Sequence, residues 1–320
     1  MHIFLHPPVF FDYICKMTHK RLFLVLAFLL CALPAAGQRC RALLAAVGTY
    51  PEGSGWAKIH AVNDIGIVVP MLRAKGFSEK DIVVLRNEQA TKTAVCGALR
   101  RLAADSRRGD RIYIHFSCHG QQMADDNGDE PDGLDEALIP YDAPRRYAPG
   151  VYEGENHLRD DEFGKLLDAL RLKVGETGSV VAVLDACHSG TGDRDNDDEV
   201  YVRGTSYIFA PPGFVPARQT GDRVVYDIRT GAGMAPLTVI AACLPDQLNY
   251  EYRSPEDGRY YGSLTHALCG VMQEADGAMP LTTLFAELKA RITRQNAKRY
   301  RIQTPLIETS DEKGTFRIGR

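Results

Sequence analysis

Two segments of this 320-residue chain deliver a cysteine and a histidine at the end of an apolar run. Ile112-Tyr113-Ile114-His115-Phe116-Ser117 leads into Cys118-His119-Gly120, and Val180-Val181-Ala182-Val183-Leu184 leads into Asp185-Ala186-Cys187-His188-Ser189-Gly190. A thiol needs a neighbouring base or cation to become a thiolate near neutral pH; imidazole supplies this and can later protonate a departing amine. The small residues Gly120 and Gly190 leave backbone N–H groups free to approach a developing oxyanion. By residue type, Cys118 or Cys187 could be the nucleophile and His119 or His188 its partner, although a cysteine after an apolar strand is more often a buried thiol.

These segments need a scaffold that ends both at one edge, and the rest of the chain supplies the pattern. Short apolar runs at 42–47, 82–85, 111–117, 179–185 and 237–242 alternate with stretches of helical spacing. Val62, Ile65, Val69 and Leu72 mark one helix, and Val95, Leu99 and Leu102 a second. Phe163, Leu166, Leu167 and Leu170 mark a third, with two more near 264–271 and 281–292 and a closing strand near 315–318. Such alternation implies βαβ crossovers and an α/β fold, a mainly parallel sheet covered by helices on both faces. In open sheets of this kind ligands bind beyond the carboxyl ends of the strands, where both Cys-His segments fall. Residues 192–235, rich in Asp, Arg, Gly and Pro, interrupt the pattern and are expected to form a long mobile surface segment.

Composition narrows the function. With 38 basic and 41 acidic residues the net charge is −3, which removes the case for a nucleic-acid binder built on bulk charge. Lys20 and Arg21 precede the apolar run 22–33, followed by Pro34, Ala35, Ala36 and Gly37, the order of a cleavable signal peptide too short to anchor stably in a bilayer. Residues 1–37 are therefore expected to be a leader, with Met17 as an alternative start, and the product to be secreted or periplasmic. Eight cysteines include no CxxC pair, so zinc-knuckle and thioredoxin chemistry find no support.

Taken together, Arg41-Ala42-Leu43-Leu44, Ala61-Val62-Asn63-Asp64, the run His115 to Gly120, the acidic stretch Asp125 to Glu136 and Asp185-Ala186-Cys187-His188-Ser189-Gly190 make the chain resemble the metacaspase branch of the caspase-like cysteine peptidases over most of residues 40–320. Asp185 stands where animal caspases carry glutamine before Ala-Cys, and Ala61 where many relatives have a cysteine. The resemblance implies one caspase-like domain: a large-subunit-like part at 38–191, a mobile linker at 192–235 and a small-subunit-like part at 236–320. A monomer is expected. It assigns Cys187 as nucleophile, His119 as proton-transfer partner, and the N–H groups of Gly120 and Cys187 as oxyanion donors. Polypeptide substrates with Arg or Lys before the cleaved bond would be held by Asp64, Ser117 and Asp185, through charge-assisted hydrogen bonds.

The acidic run fails the EF-hand spacing, and alone it is expected to be a solvated loop. The resemblance implies a Ca2+ site instead, on Asp135, Asp160, Asp161 and Asp193. Arg194, Arg203, Arg218, Arg223 and Arg229 lie in the interrupting segment, are of the implied substrate type, and are expected to be exposed to self-cleavage. A catalytically silent binding module and a legumain- or gingipain-like peptidase are the competing readings.

Overall fold

The apolar runs become strands β1 (Cys40–Ala46), β2 (Ile82–Arg86), β3 (Arg111–Ser117), β7 (Ser179–Asp185) and β8 (Leu237–Ala241). The computed structural model describes residues 38–187, 200–217, 228–297 and 302–319; the leader at 1–37, His188, Gly190, Asp193, Arg194, Arg218 and Arg223 lie outside them. These strands are parallel and, with an edge strand β12 (Leu306–Thr309) antiparallel to β8, form a six-stranded sheet in the order β12-β8-β7-β3-β1-β2. Because side chains alternate across a strand, each strand feeds two cores. Leu43, Ile114, Phe116, Ala182 and Leu184 face α2 (Lys92–Asp105) and α3 (Asp160–Val174) through Leu99, Phe163 and Leu167. Leu44, Tyr113, Val181, Val183 and Ile240 face α1 (Ala61–Ala74), α4 (Ser263–Glu274) and α5 (Leu281–Asn296) through Ile65, Leu72, Leu268 and Leu288. Near-continuous apolar strands are what burial on both faces requires.

The register aligns the strand ends: Ala46 pairs with Ser117, and Ser117 with Asp185. His119 and Cys187 therefore leave the sheet at the same level, on adjacent strands. Beyond that edge, β4 (Gly120–Ala124), β5 (Leu134–Leu138) and β6 (Leu158–Arg159) form an antiparallel sheet. The expectation of a solvated loop at 125–136 is thus corrected at its end. Leu134, Asp135 and Glu136 are buried in β5, which pairs with β4 on one side and β6 on the other, so their backbone is drawn into the ladder despite their charge. The closing strand β13 (Thr315–Phe316) pairs with β11 (Met279–Pro280), outside the main sheet. Short β9 (Glu251–Arg253) and β10 (Tyr260–Gly262) pair antiparallel beside the site. Among the described residues, no helix is long and apolar enough to cross a membrane.

Candidate active site

Strand parity separates the two cysteines. Cys118 shares the side of Phe116 and is buried in the apolar core under α2 and α3. Burial pushes its thiol up to about 12, which leaves it an inert core thiol. Cys187, two residues past the end of β7, faces away from that core and is itself buried beneath Gly204. Its Sγ donates to the Gln247 carbonyl at 2.9 Å, as the Cys243 Sγ does at 3.3 Å.

His119 is oriented by its loop neighbours. Its Nε2 lies 2.9 Å from the carbonyl oxygen of Ala57; a carbonyl only accepts, so Nε2 carries the proton and Nδ1 holds the free lone pair. Nδ1 is buried without a hydrogen-bond partner. The ring stacks on Trp56, with centroids 4.8 Å apart, and the Trp56 Nε1–H donates to Ala143 O. The backbone N–H of His119 donates to the hydroxyl of Tyr50, which in turn donates to Ile139 O. Burial under these rings lowers the His119 imidazole to about 4, so it is neutral near pH 7.

Asp64, Ser117 and Asp185 come from α1, β3 and β7 and meet on the α1/α4 side of the sheet, fully buried. The Ser117 hydroxyl donates to Asp64 Oδ2 at 2.7 Å, and the Gly262 N–H to Asp64 Oδ1 at 3.0 Å. Asp185 accepts from Asn249 Nδ2 at 2.7 Å and from the Thr265 N–H at 2.8 Å. His115, lowered by burial to about 4, links Tyr113, Ser117 and Thr265 beneath them. Gly262 forms a wall where a Cβ would come within 2.1 Å of Asp185 Oδ2 and 2.5 Å of an Arg203 nitrogen.

That arginine fills the pocket. Arg203, expected to be exposed, is completely buried, because its charge is matched on three sides. Its Nη1 donates to Asp64 Oδ2 at 2.6 Å and lies 3.3 Å from Asp185 Oδ1; Nε and Nη2 reach Glu251 Oε1 at 3.1 and 3.0 Å. Burial lifts Asp64 to about 6 even against the guanidinium, with the Asp185 charge adding to the rise. Burial also acts upward on Asp185 and Glu251, but Arg203 and their hydrogen bonds hold both below the ordinary carboxylate value. The backbone of Arg203 is equally engaged. Its carbonyl oxygen accepts from the N–H groups of Cys187 at 2.8 Å and Gly120 at 3.3 Å, and its own N–H donates to Asn249 O at 3.0 Å.

The acidic residues gather differently from the implied set. Carboxylate oxygens of Asp125, Asp126 and Asp135 lie within 4.8 Å of one another, a cluster able to coordinate a cation. Arg159 bridges it, its Nε 3.1 Å from Asp126 and its Nη1 on Asp135. Asp161 is engaged apart from them by Asn127 at 2.6 Å and Lys165 at 3.4 Å. Asp160, raised to about 8 by burial and by Glu136, also feels Asp135. Asp193 lies outside the described residues.

A strand-end cysteine and histidine beside a carboxylate-lined pocket on a mainly parallel sheet is an arrangement with known counterparts. The caspase domain model matches residues 39–316. The chain belongs to the caspase-domain family. Within it, Metacaspase-1B of Aspergillus oryzae is 31% identical over 182 residues, 54% of this chain and 39% of the relative. Metacaspase-1 of Mycosarcoma maydis is 32% identical over 137 residues, 41% of this chain and 31% of the relative. The matches thus span less than half the length of these curated relatives. The caspase fold itself recurs in the crystal structure of a Geobacter sulfurreducens protein, with TM-score 0.54 and 24% identity over 85% of this chain and 93% of that one. It recurs also in caspase-1 of Spodoptera frugiperda, with TM-score 0.53 and 14% identity over 85% and 86%.

Sequence reasoning missed Glu251, Asn249 and Trp56. Glu251 opens a three-residue strand with no motif, and Asn249 lies two residues before it. Trp56, the one tryptophan of the chain, lies in a Gly- and Ser-containing loop with no periodic pattern to mark it.

Proposed function

We propose that this caspase-domain protein is a cysteine endopeptidase that cleaves after arginine, with Cys187 as nucleophile and His119 as proton-transfer partner. One observation carries the reading: Arg203 has its side chain among Asp64, Asp185 and Glu251 while its carbonyl oxygen accepts from the N–H groups of Gly120 and Cys187. That is the posture of a residue whose peptide bond is about to be attacked. Arginine is favoured over lysine, because Nε and Nη2 both donate to Glu251 and a lysine ammonium has no second donor on its stem.

In the mechanism, the Cys187 thiol turns from Gln247 O and gives its proton to His119 Nδ1. The thiolate attacks the carbonyl carbon, and the resulting oxyanion is stabilised by the two backbone N–H groups. The C–N bond then breaks as His119 returns the proton to the leaving amine. Water, deprotonated by His119, attacks the thioester, and the acid product departs with the thiol restored. The neutral imidazole, with its tautomer fixed by Ala57, is ready for the first step.

The first substrate in this reading is the chain itself, at Arg203–Gly204. Cutting there would part a large-subunit-like segment carrying His119 and Cys187 from a small-subunit-like segment carrying Asn249 and Glu251. Arg194, Arg218, Arg223 and Arg229 are secondary candidates. The N-terminal pattern supports secretion, and an extracellular or periplasmic setting supplies calcium. The hard oxygen donors of Asp135, Asp125 and Asp126, with Asp160 and Asp161 nearby, suit that ion, which would neutralise crowded carboxylates in place of Arg159. Asp161 and Asp193 remain part of this proposal.

The test is mass spectrometry of the purified chain with and without calcium. A new N-terminus at Gly204 is expected, absent in Cys187→Ala, followed by arginine-directed cleavage of a peptide library. Preferred cleavage after Asp would defeat the reading.

A further inference from the structure

The residues before and after Arg203 are held as specifically as the arginine. The Glu251 N–H donates to Tyr201 O at 2.9 Å, and Val202 makes an antiparallel bridge with Tyr250. With the Arg203 N–H on Asn249 O, residues 201–203 lie extended and antiparallel to residues 249–251, which lead into β9, the main-chain mode of peptide recognition. In such a strand the side chains of Tyr201 and Arg203 point the same way and Val202 the other.

Tyr201 enters a slot of two rings. Its ring meets His60 edge-on at 4.5 Å and Tyr260 at 4.9 Å and 69°, while His60 and Tyr260 stack on each other at 4.9 Å and 21°. The slot is fastened to the arginine pocket. Glu251 Oε2 lies 2.7 Å from His60 Nδ1, and Oε1, which takes Arg203, also accepts the His60 N–H at 2.8 Å. A single carboxylate thus sets the floor of one subsite and the wall of the next.

On the other side, Gly204 packs against the nucleophile. A Cβ there would come within 2.4 Å of the Cys187 carbonyl oxygen and 3.0 Å of the Cys187 Cβ. These are backbone and near-backbone atoms fixed by the strand end, so no flexible side chain can give way.

We infer that the groove recognises a four-residue pattern, aromatic–any–Arg–Gly, with the His60/Tyr260 slot as a subsite for an aromatic residue two positions before the arginine. The inference rests on the arginine-cleavage reading, extends it to two further positions, and names the substrate class as peptides of the Tyr-Val-Arg-Gly type.

The experiment compares kcat/KM for three quenched-fluorescent peptides with the full-length protein: Tyr-Val-Arg-Gly, Ala-Val-Arg-Gly and Tyr-Val-Arg-Val. Replacing tyrosine by alanine should lower kcat/KM about tenfold, the scale of a well-packed aromatic contact. Replacing glycine by valine should lower it further. Tyr260→Leu should narrow the ratio between the tyrosine and alanine peptides, which a purely structural role for Tyr260 would not do. In the chain itself, Tyr201→Ala should delay appearance of the Gly204 N-terminus about tenfold, and Tyr201→Phe should restore it. Equal rates for the tyrosine and alanine peptides, with cleavage still after arginine, would overturn the subsite and leave the arginine reading standing. Cleavage of none of the three arginyl peptides would overturn both.

Discussion

Replacing Arg203 by alanine in a Cys187→Ala background, where no self-cleavage can intervene, isolates the energetics of the filled pocket. The side chain removed is fully buried and pairs with Asp64, Asp185 and Glu251, themselves buried. Removing one partner from a buried ion pair costs about 3–5 kcal/mol, because the remaining charges are left without compensation. Urea unfolding at pH 8 should therefore show a loss of about this size. The deficit should shrink as pH falls. Asp64 already titrates near 6 with the guanidinium present, and without it the carboxylate rises further. A carboxyl whose folded pKa exceeds its unfolded value gains stability for the folded state as protons become available. An N-acetylarginine amide should stabilise the variant by about 2.7 kcal/mol at a hundred times its Kd. It should leave the parent unmoved, because the parent pocket is full. A variant as stable as its parent at pH 8, and indifferent to the arginine amide, would refute the ion-pair reasoning.

The dyad assignment predicts that Cys187→Ala and His119→Ala each lose essentially all turnover in a peptide assay, whereas Cys118→Ala, which removes an inert core thiol, keeps most of it. Trp56→Ala should expose the His119 ring and move its titration from about 4 upward toward the ordinary histidine value of about 6.5, read from the imidazole proton shifts by NMR. His157, buried between Tyr152 and Gln121, is lowered by burial to about 3. Its depressed pKa contributes stability that is present above about pH 6.5 and lost as pH falls, roughly 3 kcal/mol between pH 7 and 4. His157→Gln should flatten the pH dependence of urea unfolding by about that amount, and an unchanged slope would show that His157 takes up its proton in the folded state.

The sheet was legible because its four central strands, buried on both faces, spell themselves as apolar runs, and the helices between them keep their spacing. The pairing of Ser117 with Asp185 was not legible, yet it is what brings His119 and Cys187 to one level. Strand parity, readable from the sequence, assigns Cys118 to the core with Phe116. The pocket carboxylates Asp64 and Asp185 could be named only through resemblance. Glu251 reaches Arg203 across 48 residues and His60 across 191, contacts that no local pattern encodes. Arg203 itself was one of several arginines in a polar segment, and only the tertiary fold distinguishes it from the others. Charge hid the β4–β5 hairpin, because Asp135 and Glu136 outweigh the apolar residues that pull them inward.

A ligand carried on the same chain behaves differently from one in solution. The segment that fills the arginine pocket cannot be diluted, because its covalent connection fixes its local concentration. An outside peptide must exceed that concentration, weighted by the ratio of affinities, before it occupies the groove half the time. Diluting the protein would not open the site, and crowding it would not close it. Escape must be unimolecular, so cutting next to Arg203 should follow first-order kinetics with a half-time independent of protein concentration. Once cut, the arginine becomes a chain end that can swing away, and the groove passes from internal to external competition for as long as the molecule lasts.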